Sequence, residues 1–164
     1  MAARRFDDAV DALASRYRPW VSNELARRES EESVKGFIGN IEHRTVANRD
    51  YRRVLYTGPH LQLVLMSLLP GEEIGEEVHA DGDQFFRVEE GEGAVWIDGR
   101  ETRLESEMAV LVPAGARHNV RNTGEKPLKL YTLYAPPEHA DGTVQADKAE
   151  ADASREHFAG QTTE

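Results

Sequence analysis

Between Val54 and Tyr134 the chain consists of short apolar runs, each cut by a glycine or proline turn before it reaches helical length. Val54-Leu-Tyr-Thr57 stops at Gly58-Pro59, Leu61 to Leu69 stops at Pro70-Gly71, and Gly93-Ala-Val-Trp-Ile97 stops at Asp98-Gly99 before a return run from Arg100 to Leu104. Asp-Gly between two such runs is the strongest short hairpin signal, because both central residues of the tight turn take positive φ. Met108 to Val112 and Leu128 to Tyr134 complete the set. Closely spaced strands with no helices between them predict an all-β fold, an antiparallel sandwich or barrel.

The flanks read differently. Phe6, Val10, Leu13 and Tyr17 fall on one helical face, with Asp7, Asp8 and Asp11 early and Arg16 and Arg18 late, as the helix dipole favours. Pro19 ends that helix or opens a second one carrying Trp20, Val21 and Leu25. Residues 1–34 are therefore expected to form an N-terminal helical arm, residues 35–137 the β-barrel, and residues 138–164 a charged C-terminal tail. The tail is alanine-rich with little to bury besides Val144 and Phe158, which predicts a loose or partner-docked segment. The apolar stripe of the arm needs a surface to cover it, and a two-fold homodimer would supply one.

Composition narrows the function classes. Thirty acidic against 20 basic side chains give a formal charge of −10, which opposes the phosphate attraction that nucleic-acid binders use. Cysteine is absent, so any metal must use histidine, carboxylate or amide ligands, and a reducing compartment fits. No apolar run has signal-peptide length, and Leu61 to Leu69, interrupted by Gln62 and Ser67, is far too short to span a bilayer. A cytoplasmic protein without nucleic-acid or membrane partners is expected.

Two segments carry the chemistry. Pro113-Ala-Gly-Ala-Arg-His118-Asn-Val-Arg-Asn122 has the form Pro-x-Gly-x-x-His-x-x-x-Asn, and Gly75-Glu-Glu77-Val-His79 is followed after four residues by Gln84 and after six more by Gly91. The first segment matches the second signature of the cupins in every letter. The other has the spacing of the first cupin signature, with Glu77 where the first histidine belongs and Gln84 where the glutamate belongs. The chain thus resembles a cupin with an altered metal site, over roughly Lys35 to Lys148. The strings Gly36-Phe-Ile-Gly-Asn-Ile-Glu42 and Leu128 to Thr143 are similar to the small single-domain bacterial cupins described as mannose-6-phosphate-isomerase-like. Glu107 departs from the pattern by standing where glycine usually opens the second signature.

The resemblance implies a jelly-roll barrel and a metal site of Glu77, His79, Gln84 and His118. Glu77 and His79, two apart on a strand, share a face; the Ala80 to Asp83 turn then brings Gln84 opposite them, and His118 arrives from a distant strand. Three histidines and one glutamate carry one negative charge, and so does this set, but a carboxylate oxygen replaces an imidazole nitrogen and a neutral amide replaces a carboxylate. A divalent transition metal is expected, with iron, manganese, nickel and zinc all compatible. The alternative is a metal-free pocket whose polar residues hydrogen-bond a ligand directly. His43, His60, His139 and His157 receive no role, and Trp96 reads as a core aromatic. The implied function is a metal-dependent enzyme, a dioxygenase or an isomerase, epimerase or lyase, acting on a small polar metabolite; the second class is a non-catalytic module for a sugar or carboxylate. Tyr56, Tyr131 and His60 are acid–base candidates by residue type alone.

Overall fold

The computed structural model describes residues 35–164. The helical arm and the apolar stripe behind the homodimer expectation lie outside the described residues. Helix α1 (Ile41–Ala47) precedes strands β1 (Arg52–Thr57), β2 (Gln62–Leu68), β3 (Asp83–Glu90), β4 (Glu92–Ile97), β5 (Arg100–Glu105), β6 (Ala109–Val112), β7 (His118–Asn122), β8 (Leu128–Ala135) and β9 (Val144–Gln145), and helix α2 (Lys148–Ala153) follows. One sheet has the order β6-β3-β8-β2-β1-β9 and the other β5-β4-β7, every pairing antiparallel. This is the jelly-roll barrel expected of the sequence.

The expected hairpin forms where Asp-Gly stands: Asp98 and Gly99 have φ of 48° and 83° between β4 and β5. Glu107 keeps a left-handed conformation at φ 71°, so the turn before β6 survives the loss of its usual glycine. A short helix over Ile41–Ala47 was not part of the sequence reading. It is capped by Asn40, whose side chain accepts from His43 N at 2.9 Å, and the buried Lys129 ammonium reaches its C-terminal end at Asn48 O.

Alternation along the strands sends Val64, Met66 and Leu68 of β2, Phe86 and Val88 of β3, and Leu128 and Leu130 of β8 inward, all fully buried. Leu104 and Val120 of the small sheet close the same core. The interior is graded along its length. At one end the register sets Gln62 and Gln84 on either side of Tyr134, and Val64 and Phe86 on either side of Thr132; at the other, Met66 and Val88 flank Leu130. The polar end is where the candidate ligands collect.

Two expectations change. Glu77 and His79 do not lie on a regular strand. Residues 71–77 run antiparallel beside β7, bridging at Glu73 with Arg121 and at Glu77 with His118, so four steps of one chain oppose three of the other. The extra residue is a bulge taken up at Gly75, whose φ is 98° and whose N–H donates to Asn119 Oδ1 at 3.1 Å. The C-terminal segment is not loose either. β9 pairs with β1, Phe158 N donates to Glu138 O at 2.8 Å, and Thr163 N donates to Thr57 O at 2.9 Å. The open edge of β1 supplies backbone partners, which a count of apolar residues cannot register.

Candidate metal centre

His118 opens β7 and is 1% exposed. The turn before it places Ala116 O 3.1 Å from Nδ1 and so turns Nε2 inward. There it meets Gln84 Oε1 at 2.8 Å, while the Gln84 amide nitrogen donates to Thr132 Oγ1 at 3.1 Å. Glu77 Oε2 lies 3.9 Å from His118 Nε2 and 3.4 Å from His79 Nε2. The structure thus brings together all four residues named from the sequence. One donor atom each from Glu77, His79 and His118 lies within 4.8 Å of the others.

These atoms fit a metal ion. Ligands bonded at roughly 2.0–2.2 Å to one ion stand about 3 Å apart when adjacent and no more than about 4.4 Å when opposite, a range that includes the 3.4 Å and 3.9 Å separations of Glu77 Oε2 from the two histidines. More telling is what the donors lack: Glu77 Oε2 and His79 Nε2 are buried side-chain atoms that face each other at 3.4 Å as a loose ion pair, and neither makes a hydrogen bond among the described residues. Buried polar atoms are satisfied almost everywhere else in proteins, and two orphans side by side mark a place built for something else.

The surroundings add residues to which sequence reasoning gave no role in the site. Glu138 Oε2 lies 3.5 Å from His79 Nδ1; its carboxylate first, and that of Glu77 second, raise the His79 pKa to about 9, while His79 in turn holds Glu138 below the usual carboxylate range. Tyr134 packs edge-on against His79 at 5.6 Å and against His139 at 5.2 Å, and burial pushes its hydroxyl well above the ordinary value. Phe86 meets His118 edge-on at 6.0 Å. His139, given no role from sequence, is buried, with Nδ1 2.8 Å from Glu156 Oε1. A mouth cavity of about 240 Å³ opens beside His79, between the 80–83 turn and Tyr134, Pro136 and Glu138.

The residue-type candidates for acid–base work stand elsewhere. Tyr131 stacks on Phe85 with centroids 6.0 Å apart, on the row of β8 opposite to Tyr134. Tyr56 OH faces Glu164 at 3.3 Å, and His60 is exposed on the turn before β2. Glu138 was within reach of the sequence only through the Pro136-Pro137-Glu138-His139 string, which lacks any periodicity that would aim it inward.

Residues 64–134 match the family model of the cupin domain. The chain is 46% identical over 128 residues to YrkC of Bacillus subtilis, covering 74% of this chain and 69% of that protein. It is 39% identical over 123 residues to a protein of Acanthamoeba polyphaga mimivirus, covering 72% and 76%. The chain is a cupin. Its fold is matched by the crystal structure of BH2720 from Bacillus halodurans, at a TM-score of 0.71 and 50% identity over 75% of this cupin and 98% of that chain. Among the described residues no helix is long and apolar enough to cross a membrane.

Proposed function

We propose that this cupin is a metal-dependent enzyme that holds a divalent transition metal through Glu77, His79 and His118, with Gln84 as a weaker fourth donor, and acts on a small polar molecule admitted at the barrel mouth. The observation that carries the reading is the pair of buried, unpartnered atoms, Glu77 Oε2 and His79 Nε2, facing His118 Nε2. A metal held there would supply Lewis acidity toward a carbonyl or hydroxyl, or a binding place for oxygen.

The chain's own residues do the rest. Ala116 O fixes the His118 ring with Nε2 inward, and Glu138 stands where it can fix His79 in the same way. Thr132 orients the Gln84 amide so that its oxygen faces the cluster. Tyr134 and Phe86 pack edge-on against the His79 and His118 rings and help hold them in place. Glu138, about half exposed at the mouth, is the carboxylate placed to take a proton from a bound molecule. The narrower likeness to mannose-6-phosphate-isomerase-like cupins names a type of domain and supplies no substrate to this reading.

The test is metal content of protein purified without chelator or added metal, followed by oxygen uptake and by solvent proton exchange into candidate substrates. Stoichiometric metal with either activity supports the enzyme. Metal-free protein with an intact fold supports the binding module instead.

A further inference from the structure

Behind the cluster lies a second cavity of about 220 Å³, bounded by Tyr51, Arg52, Glu77 and His139 among others. Arg52 is 8% exposed and occupies an inward position of β1, two residues from the core residue Val54. Its Nη1 donates to the buried Gln145 Oε1 at 2.9 Å, but Nε is buried with no partner. No carboxylate among the described residues comes within salt-bridge distance of the guanidinium, although Glu77, Glu138, Asp152 and Glu156 all border the cavity. Arginine is almost never buried without a paired anion, because a desolvated charge is costly.

A second orphan sits in the same wall. His139 is 8% exposed, and its Nε2 has no partner. Its Nδ1 faces the Glu156 carboxylate, which can only accept, so the Nδ1 hydrogen is fixed there and Nε2 of the neutral ring is an acceptor. Burial lowers the His139 pKa and favours that neutral ring. The lining of the cavity therefore offers both a planar cationic donor and a neutral acceptor, and it shares Glu77 with the proposed metal site.

We infer that this cavity binds a small hydroxycarboxylate, its carboxylate on the Arg52 guanidinium and its hydroxyl donating to His139 Nε2. A guanidinium matches a carboxylate as a fork, and the hydroxyl is the simplest group that satisfies a buried acceptor. The inference deepens the metal reading and rests on it in one respect: a divalent ion held by Glu77, His79 and His118 would place positive charge beside the four carboxylates, which favours entry of an anion.

The experiment is calorimetric titration of the full chain, as purified and after chelation, with lactate, propionate and propane-1,2-diol. Lactate is expected to bind saturably and at least ten-fold more tightly than propionate, with no saturable heat from the diol. Arg52→Gln is expected to weaken lactate at least ten-fold, and His139→Phe to reduce lactate to the level of propionate while leaving propionate unchanged. If Arg52→Gln fails to fold, Arg52→Lys replaces it, with an intermediate loss expected because the charge stays and the fork goes. Lactate binding unaltered in the Arg52 variant, or absent from wild type at millimolar concentration, overturns the inference. Failure of the metal reading shows separately, as lactate affinity that chelation leaves unchanged while the Arg52 dependence persists.

Discussion

Nε2 of His118 faces Oε1 of Gln84 at 2.8 Å while Nδ1 of the same ring faces the carbonyl oxygen of Ala116. A carbonyl only accepts, so the ring hydrogen belongs on Nδ1 and the neutral ring presents a lone pair to the lone pairs of the amide oxygen. The contact becomes attractive when a positive charge, a proton or a metal ion, sits against both atoms. His118→Ala is therefore expected to abolish metal retention, and Gln84→Ala to weaken metal affinity by roughly 10-fold, since the amide is the poorest donor of the four. Elemental analysis and competition with a chelating dye measure both. Equal metal content in wild type and His118→Ala removes the site.

The pKa of His79 gives the metal-free protein a defined pH response. Glu138, then Glu77, raise it from 6.5 to about 9, so the folded state favours the imidazolium. The stability this contributes is fully present below about pH 6.5 and is lost as pH rises through about 9. Chelated protein should melt at progressively lower temperature across that window, and His79→Gln should flatten the profile. Metal requires the neutral ring, so its uptake should release a proton and its apparent affinity should rise with pH over the same range. Calorimetry in two buffers of different ionisation enthalpy reads the proton; none released contradicts the assignment.

Asn122, the last letter of the second signature, works for the fold. It is fully buried, donates to Leu68 O and Lys126 O at 2.8 Å each, and accepts from Gly124 N at 2.9 Å. Asn122→Ala strands two carbonyls and one amide and is expected to cost about 2–3 kcal/mol in urea unfolding. Metal content per folded molecule should not change. Coupled loss of metal would show that this asparagine reaches the site after all.

Two glycines separate crowding from backbone strain. A Cβ on Gly93 would lie 2.6 Å from Arg121 O and 2.8 Å from Leu128 Cδ2, forcing β4 away from β7, and Gly93→Ala should cost about 2–3 kcal/mol. A Cβ on Gly99 meets open space, so Gly99→Ala bears only the strain of φ +83°, about 1 kcal/mol. Melting temperatures in the reverse order would refute the packing described for β4.

His118 and Gln84 were legible because fixed spacing in a motif substitutes for tertiary information, and the β4–β5 hairpin because Asp-Gly dictates its own turn. Glu138, His139 and Glu156 were not. The buried Gln62 amide holds the first two, its oxygen accepting from both backbone N–H groups and its nitrogen donating to His139 O, and Glu156 is held by His139 Nδ1 and Ala140 N. These contacts span some seventy-seven and sixteen positions and leave no local trace in the sequence. Arg52 escaped notice for a related reason. In sequence it is one of two adjacent arginines on a strand, and only the alternation of faces makes it the buried one beside an exposed neighbour.

The extra residue between Glu73 and Glu77 acts on its strand as a frameshift acts on a message. Ile74 points into the core and Glu77 into the site although three positions separate them, an odd interval that strict alternation forbids. Read in the unshifted frame, Glu76 and Val78 would face the interior, and Glu77 and His79 would face water. The same letters would then spell a barrel with no centre, so removing one residue beside Gly75 is a deeper lesion than replacing any single ligand.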